Sequence, residues 1–272
     1  MADAMVENSP GTVEREDRGR VAILRLRRDG KANAWGPDMA AALVELLAEI
    51  AADEAIRACV ITGTGTRAFS SGADISAPGA HQAPSAGSVL ASGVSGHHPV
   101  FDALNSFRKP LIASVNGLAI GAGVLIVLYC DVVLASETAQ FAMPQVALGV
   151  LPAFGSIYRL ATWVGRGRAN EMVLSGRRVP AHEARDIGLV HRVVAPGELL
   201  DESLTVATAM ANLPPLAAAA AKESLEVAYE LSGQATTARF DQYRFGMLGL
   251  TADCQEAHAA WRERRPPVYK GE

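Results

Sequence analysis

Cysteine, aromatic residues and blocks of one charge are all scarce in this sequence of 272 residues. The three cysteines, Cys59, Cys130 and Cys254, stand far apart without a CxxC pair or histidine companions. This spacing argues against a disulfide framework and against any metal site of the zinc type, and it fits a reducing cytoplasm. The formal net charge is -4, and no lysine and arginine run alternates with aromatics, so no nucleic-acid partner is expected.

Long apolar runs are equally rare, with one exception. Residues 111–130 read LIASVNGLAIGAGVLIVLYC and contain no charged side chain. A bilayer core needs roughly 20 apolar residues in one helix, which this stretch matches in length. However, Pro110 in front of it is typical of a strand entry, and Asn116-Gly117 is a turn dipeptide that divides it. We therefore expect no membrane span here.

The overall composition is that of an ordinary globular protein, with 49% hydrophobic and 20% charged residues. The chain is long enough to bury a core without disulfides. Its first residues are polar and acidic and have no apolar segment of the kind a signal peptide carries, so residues 1–10 are expected to be a disordered tail. We expect a core domain over residues 1–200 and a helical region over residues 201–272.

Strand and helix patterns alternate in the first part of the chain, which indicates an α/β fold. Apolar residues at helical spacing predict a helix from Pro37 to about Ala52, and a Gly, Ser, Pro and Ala-rich composition predicts a long surface loop over residues 77–99. The remaining predicted elements are a hairpin over 14–26, strands at 58–62, 111–115, 132–136, 139–143 and 189–194, helices that end at Gly165 and Gly176, and only helices after Pro196.

Two glycine-containing loops follow predicted strands and are candidates for chemistry. FSSGADI, residues 69–75, has small residues that would let backbone N–H groups face an oxyanion or a phosphate, although an ordinary turn explains it as well. GLAIGAGV, residues 117–124, is predicted to open onto a helix N-terminus, whose dipole favours negative charge. Neither spacing matches a nucleotide-binding GxGxxG or GxxxxGK[ST] motif.

Taken together, the ordered motifs resemble the crotonase superfamily, the enoyl-CoA hydratases and isomerases, from about Gly19 to the C-terminus. The motifs are KANA at 31–34, AFSSGADI at 68–75, KPLIASVNGLAIGAG at 109–123, CDVVLAS at 130–136, AQFAMPQVALGVLP at 139–152, ANEMVLSGRRVPAHEARDIGLVHRVV at 169–194 and the final AWRERRPPVYKG. The resemblance implies a spiral of ββα units followed by helices that build a homotrimer or a dimer of trimers. It also implies an acyl-CoA substrate, with coenzyme A as part of that substrate and no prosthetic group.

By this resemblance the amides of Ala73 and Ala122 form an oxyanion hole for the thioester oxygen. Hydratases of the family have one Glu three residues after the second amide and another after the Pro of the FxxP segment. Here those two places hold Leu125 and Gln145, neither of which takes up a proton at neutral pH. Other members place an Asp near residues 152–154, where this chain has Pro, Ala and Phe.

Other side chains are candidates to replace these acids. Asp74 adjoins the first amide, but capping the turn is its commoner role. His81, His97, His98 and Asp102 lie in or just after the predicted loop, where solvated surface residues are the simpler interpretation.

The resemblance also implies a coenzyme A site. It consists of Lys31 and Ala32 after the second strand, Ala73, Asp74 and Ile75 in the first loop, and Lys270 near the C-terminus.

Three functions remain open from the sequence. The first is a hydratase, lyase or isomerase that stabilises a thioester enolate but has non-standard acid–base residues, so that standard hydration is doubtful. The second is decarboxylation of a malonyl-type CoA, which needs no base to remove a C–H proton. The third, from a different class, is an acyl-CoA binding protein without turnover.

Overall fold

The computed structural model describes residues 10–74, 98–148, 150–230, 247 and 251–272. Ten strands lie at β1 Thr12–Arg18, β2 Val21–Arg27, β3 Ala58–Gly63, β4 Ala68–Ser70, β5 Leu111–Val115, β6 Leu118–Ile120, β7 Val132–Ser136, β8 Gln140–Ala142, β9 Val179–Pro180 and β10 Arg192–Val194. The helices of the described ranges are α1 Pro37–Ala52, α2 Pro99–Ser106, α3 Ala122–Leu128, α4 Ser156–Ser175, α5 Ala181–Asp186, α6 Leu199–Ala211, α7 Pro215–Glu230 and α8 Ala252–Glu263.

Two sheets organise the chain. The larger has the order β1-β2-β3-β5-β7-β10, in which β1 and β2 form an antiparallel hairpin and the other neighbours are parallel. The smaller has the order β4-β6-β8-β9, with β4, β6 and β8 parallel. Successive strands therefore alternate between the sheets, β3 to β4, β5 to β6 and β7 to β8, which is the predicted spiral of ββα units and the crotonase fold.

Helix α1 shows how the apolar pattern positions an element. Proline at its first position has a preset backbone angle and no N–H to lose there, which favours a helix start. Met39, Leu43, Leu47 and Ile50 recur three or four residues apart, so one stripe of the helix is buried in the main core. The sequence prediction for this helix is confirmed.

The C-terminal part packs directly on the larger sheet. Leu199, Ala207 and Ala211 of α6 form a second buried cluster with the sheet residues Val21, Ala58, Val60, Ile112 and Leu134. The chain end is held as well, because the buried Asp253 carboxylate of α8 accepts hydrogen bonds from the backbone N–H groups of Lys270 and Gly271. The division at residue 200 stays a prediction.

The structure corrects three local predictions. Residues 118–120, which the sequence assigned to a loop, form β6, and residues 99–106 form α2 although the predicted loop extended to 99. Residues 189–191 precede β10 instead of belonging to it. Short strands such as β6 depend on pairing with distant strands rather than on local pattern. The predicted helix ends at Gly165 and Gly176 are confirmed, because the backbone inside α4 is non-helical at Gly165, where two helices meet at a kink, and Gly176 forms a left-handed cap.

Within the described ranges, no single helix is both long enough and apolar enough to cross a membrane. Helix α6 together with the first part of α7 has the required length and composition, but the two are bent by 105°. Residues 1–9 and 75–97, including most of the predicted tail and loop, lie outside the described residues.

Candidate active site

Three loops meet at one edge of the smaller sheet. Since β4, β6 and β8 run parallel and side by side, their carboxyl ends lie together, and a different loop leaves each end. Ala73 follows β4, Ala122 follows β6, and Gln145 follows β8. The fold thus brings together three positions that are more than 20 residues apart in sequence.

The first loop is fixed by the backbone of Trp35. The Trp35 N–H donates to the carbonyl of Gly72 at 2.7 Å, and the Trp35 carbonyl accepts from the N–H of Asp74 at 2.9 Å. This bridge leaves the N–H of Ala73 facing away from Trp35. Within the described part of the chain that N–H donates to no other group, so it is available to a ligand.

The second loop presents its amide at a helix start. Ala122 is the first residue of α3, and first-turn N–H groups have no acceptor within their own helix. The preceding Gly121 has φ 52°, a conformation that side-chain-bearing residues rarely adopt. Helix α3 spans only seven residues. An anion at this place would therefore be held by the N–H group itself rather than by a helix dipole.

Glycines allow the two loops to approach within contact distance. A Cβ atom on Gly72 would lie 2.7 Å from the carbonyl oxygen of Ile120 and 3.5 Å from the nitrogen of Ala122. A Cβ atom on Gly123 would lie 2.6 Å from the carbonyl oxygen of Ser70. Distances under 3 Å are prohibitive for backbone atoms, so no side chain fits at either place without moving a loop. The two amides are neighbours because of this close packing.

The first loop also carries a largely buried ion pair. The carboxylate of Asp74 lies 2.9 Å from the guanidinium of Arg28, and the two side chains are 8% and 14% exposed. The pair ties the loop to the end of β2. The Asp74 carboxylate is thus engaged with a guanidinium.

Residues 75–97 follow Asp74 in sequence and lie outside the described residues. Three residues with predicted roles, Ile75, His81 and His97, fall in this range.

The two side chains predicted to stand at the acid positions, Leu125 and Gln145, lie at this same edge. Leu125, on α3, is 4% exposed and belongs to the main core. The carboxamide nitrogen of Gln145 lies 3.7 Å from where a Cβ on Gly121 would be, so the side chain faces the second loop. Its carbonyl oxygen Oε1 is buried and accepts no hydrogen bond within the described residues. A buried oxygen of this kind is costly unless a ligand or water supplies a donor.

An aromatic cluster includes Phe154, one of the residues predicted to stand near a third acid position. Phe154 has φ 56°, its carbonyl accepts a hydrogen bond from the Tyr129 hydroxyl, and its ring packs 5.1 Å from Phe101. Burial raises the pKa of Tyr129, although Arg159, 4.1 Å above the ring, opposes this, so the hydroxyl stays protonated. His98 also packs on Phe154, at 4.8 Å.

The turn after β2 lies against the first loop, as its predicted role in coenzyme A binding requires. The carbonyl of Ala32 accepts from the N–H of Ser71 at 3.0 Å, and the carbonyl of Lys31 accepts from the Ser71 hydroxyl. Sequence reasoning missed Asn33, which is buried at φ 55° and bonds through its side chain to the Arg28 N–H and the Ala68 carbonyl. Asparagine tolerates this left-handed conformation, which was the available signal.

Lys270 is placed differently from the other predicted coenzyme A residues. It lines a cavity of about 320 Å³ with Lys109 and Pro110, which precede β5, whereas the second loop follows β6 beyond the other end of β5. A five-residue strand such as β5 spans about 16 Å. Within one chain, Lys270 is therefore not brought to the two amides.

A metal site is not found within the described residues, where no group of three or more His, Cys, Asp and Glu side chains converges.

Burial raises the pKa of Cys59 to about 12 and raises that of Cys130 as well, so both thiols stay protonated.

Comparison with known proteins agrees with this geometry. The fold and the paired loops define a crotonase-fold protein. The family model described as enoyl-CoA hydratase/isomerase matches residues 16–272, and the chain belongs to that family.

Individual relatives are similar over nearly their whole length. A 2,3-dehydroadipyl-CoA hydratase from Escherichia coli is 38% identical over 253 residues, covering 93% of this chain and 96% of the relative. A carnitinyl-CoA dehydratase from Salmonella enteritidis is 35% identical over 250 residues, covering 89% and 92%. Among solved structures, an enoyl-CoA hydratase subunit from Geobacillus kaustophilus superposes with a TM-score of 0.85 at 34% identity, covering 96% and 98%.

Proposed function

We propose that this protein is an acyl-CoA thioester enzyme that stabilises an enolate in an oxyanion hole formed by the amides of Ala73 and Ala122. The observation that carries the proposal is a pair of N–H groups that donate to no other described residue, on two loops packed together through Gly72 and Gly123. Reactions next to the thioester carbonyl place negative charge on its oxygen, and each donor of such a pair contributes about 3 kcal/mol. Lys31 and Ala32, held against the same loop, would contact coenzyme A.

The acid–base chemistry of this enzyme would be non-standard. Neither Leu125 nor Gln145 can transfer a proton, and Asp74 is paired with Arg28. General acid–base catalysis contributes about 10²–10⁴-fold, so standard hydration by the described residues alone would be slow by that factor. Gln145 would instead hold a water molecule or a substrate donor through its unpartnered oxygen.

Decarboxylation of a malonyl-type CoA is the second candidate, and the buried apolar side chain of Leu125 favours it. In this reaction the C–C bond to the carboxylate breaks, its electron pair forms the enolate, carbon dioxide leaves, and water later supplies a proton to C2. No protein base is needed. An apolar wall also destabilises the charged carboxylate relative to carbon dioxide.

Self-association is part of the proposal. Large apolar side chains are exposed along the chain from the turn after β8 to the start of α4, and the most exposed are Leu148, Val150 and Leu151 at 57%, 57% and 71%. Exposed apolar patches of this kind mark interaction sites. We propose a homotrimer or a dimer of trimers, in which Lys270 contacts the coenzyme A bound by a neighbouring subunit.

We also propose that the protein is located in the reducing cytoplasm, because its described cysteines are free thiols.

One assay set tests the proposal. Purified protein is offered crotonyl-CoA, a 3-enoyl-CoA and methylmalonyl-CoA, with binding measured in parallel. Turnover of any of them that depends on Ala122 supports the enzyme, and carbon dioxide release selects the second candidate. Tight binding without a product supports an acyl-CoA binding protein instead, and no binding refutes the proposal.

The double change Leu125→Glu, Gln145→Glu examines the acid–base deficit. If the missing carboxylates limit hydration, crotonyl-CoA hydration should rise by about 10²-fold or more in the double variant. Fast hydration by the unchanged protein would contradict this part of the proposal. A double variant that folds and binds thioester but gains no hydration would also contradict it.

A further inference from the structure

The cavity of about 320 Å³ that Lys270 lines is rich in basic side chains from separate parts of the chain. Its charged lining consists of Arg57, Arg108, Lys109, Lys270, Glu54 and Glu272. Four of these side chains are basic and two are acidic, so the lining carries an excess of positive charge. Such a cavity attracts anions.

Strand pairing brings Arg57 and Lys109 together at this cavity. In the parallel neighbours β3 and β5, Cys59 is paired with Leu111, and the N–H of Cys59 donates to the carbonyl of Pro110 at 2.9 Å. Arg57 and Lys109 each stand two residues before the paired residues, so the two lie side by side at this end of the sheet. They precede β3 and β5, whereas the loops of the two proposed oxyanion amides lie beyond the other ends of these strands.

The guanidinium of Arg57 is bonded only to a neutral group. Its Nη2 donates to the carbonyl of Tyr269 at 2.8 Å, and its Nη1 is buried and donates to no group within the described residues. No carboxylate in the described part of the chain forms an ion pair with it. Burial and the charge of Arg20 lower the pKa of Arg57, while Asp253 opposes this shift. A cation that loses water without gaining a bonded carboxylate is destabilised.

The ammonium of Lys109 is in a similar situation. It donates to the carbonyls of Ile50 and Asp53, at 2.5 and 2.7 Å, where α1 ends. Both acceptors are neutral, and within the described ranges no carboxylate is bonded to this ammonium. Burial lowers the pKa of Lys109, the Asp53 carboxylate opposes the shift, and the charge of Arg57 adds to it. Two cations without bonded carboxylates thus lie at one cavity.

The charge and the size of the cavity indicate which ligand suits it. An anion placed there is attracted to both cations, and a divalent anion is attracted about twice as strongly as a single carboxylate. Phosphate oxygens also match the planar fork of a guanidinium and accept from several donors at once. A volume of about 320 Å³ is at the lower end for small-ligand sites, which suits a phosphate group rather than a whole nucleotide.

We propose that this cavity is a binding site for a phosphate group and that Arg57 and Lys109 supply its positive charge. Two sources can provide the group: a free phosphate, or the coenzyme A of a neighbouring subunit, which Lys270 is proposed to contact. The site itself does not depend on the oxyanion hole, because it lies at the opposite end of β3 and β5.

Phosphate binding to the full-length protein, freed of coenzyme A, tests the site. Inorganic phosphate is titrated at constant ionic strength and followed by phosphorus NMR. We expect saturable binding that Arg57→Met weakens by about 10-fold or more, the range of one hydrogen bond to a charged group. Arg57→Lys keeps the charge and should retain part of the affinity. An absence of saturable binding, or equal binding by Arg57→Met, overturns the proposal.

Arg192→Met is the matched control. It removes the same charge from the protein, but Arg192 begins β10, pairs with Glu202 and does not line this cavity. Its phosphate affinity should equal that of the unchanged protein. If the affinity falls as far as in Arg57→Met, the effect is one of net charge and the proposal fails.

Unfolding measurements keep the test decisive even if Arg57→Met is less stable than the unchanged protein. A ligand that binds only the folded state raises the free energy of unfolding as its concentration rises. In urea titrations at constant ionic strength, phosphate should stabilise the unchanged protein and Arg192→Met but not Arg57→Met. Equal stabilisation of Arg57→Met would mean that phosphate binds elsewhere, which overturns the site.

Coenzyme A and dephospho-CoA, which lacks the ribose phosphate, identify the source of the group. If Arg57→Met weakens binding of coenzyme A but not of dephospho-CoA, the site takes the phosphate of coenzyme A. If both bind as before while inorganic phosphate is lost, the site takes free phosphate. Phosphate binding through Arg57 without any thioester binding would leave this site intact and refute the proposed function. Thioester turnover without Arg57-dependent phosphate binding would refute only the present inference.

Discussion

The candidate site has two halves, one made of backbone N–H groups and the other of side chains. The proposed oxyanion donors are the backbone N–H groups of Ala73 and Ala122, placed by strand pairing and by loop contacts that glycine permits. The acid–base half, at Leu125 and Gln145, depends on side chains. A backbone donor survives almost any change of residue type, whereas a proton carrier is lost with one substitution. The proposed function accordingly keeps the first half and is non-standard in the second.

Ala122→Pro should have the largest effect, because it removes one of the two backbone N–H donors. Proline is tolerated at the first position of a helix but has no N–H to donate. We expect turnover of whichever thioester the protein converts to fall by about 10²–10³-fold, with the fold retained by circular dichroism.

Ala252→Pro is the matched control for that change. Ala252 is the first residue of α8, which is remote from the two loops. Its change should leave turnover unaltered. Equal losses in the two variants would show that helix distortion, and not the missing donor, causes the effect.

Arg28→Met tests the ion pair that anchors the first loop. Removing one partner of a largely buried pair leaves the Asp74 carboxylate uncompensated, which should lower the free energy of unfolding by about 3 kcal/mol in urea titration. The exposed pair of Arg192 and Glu202 serves as comparison, since Arg192→Met should cost at most about 1 kcal/mol. Similar costs would mean that Asp74 is not held by Arg28 in the way described.

Gly123→Ala examines the contact between the loops. Its methyl group would meet the Ser70 carbonyl at 2.6 Å, so we expect a destabilisation of about 1–3 kcal/mol and a misplaced Ala122 amide. Gly167→Ala, inside α4 with nothing within 4 Å, should instead stabilise by up to about 1 kcal/mol. Thermal unfolding of both variants checks this difference in sign.

The smallest expected effect concerns pH and two part-buried histidines, His98 and His191, that belong to neither half of the site. Burial lowers the folded-state pKa of both His98 and His191 below the ordinary 6.5. Their contribution to stability is therefore present above pH 6.5 and is lost as the pH falls through the lowered folded values. The double variant His98→Asn, His191→Asn should lose less stability than the unchanged protein between pH 7.5 and 5, measured by urea unfolding. An unchanged pH slope would contradict the assignment.

The sequence indicated more of the fold than of the site's arrangement. The periodic apolar residues of α1 and the uncharged strand at 111–115 were readable locally, because burial of one face imposes a pattern. Three-residue strands such as β6 carry no such pattern, so GLAIGAGV was interpreted as a loop throughout. Their existence depends on partners, here β4 and β8, that are distant in sequence.

By itself, the sequence determined the family and the residue types at each motif, and with them the lack of a carboxylate at Leu125 and Gln145. The sequence could not determine that Asp74 forms an ion pair with Arg28, that Lys270 lies at the far end of β5 from the amides, or that His98 lines an apolar cavity. These facts are decided by distances between segments far apart in the chain. Such distances are set when parallel strands pair and glycines let their loops touch, and only the tertiary structure contains them.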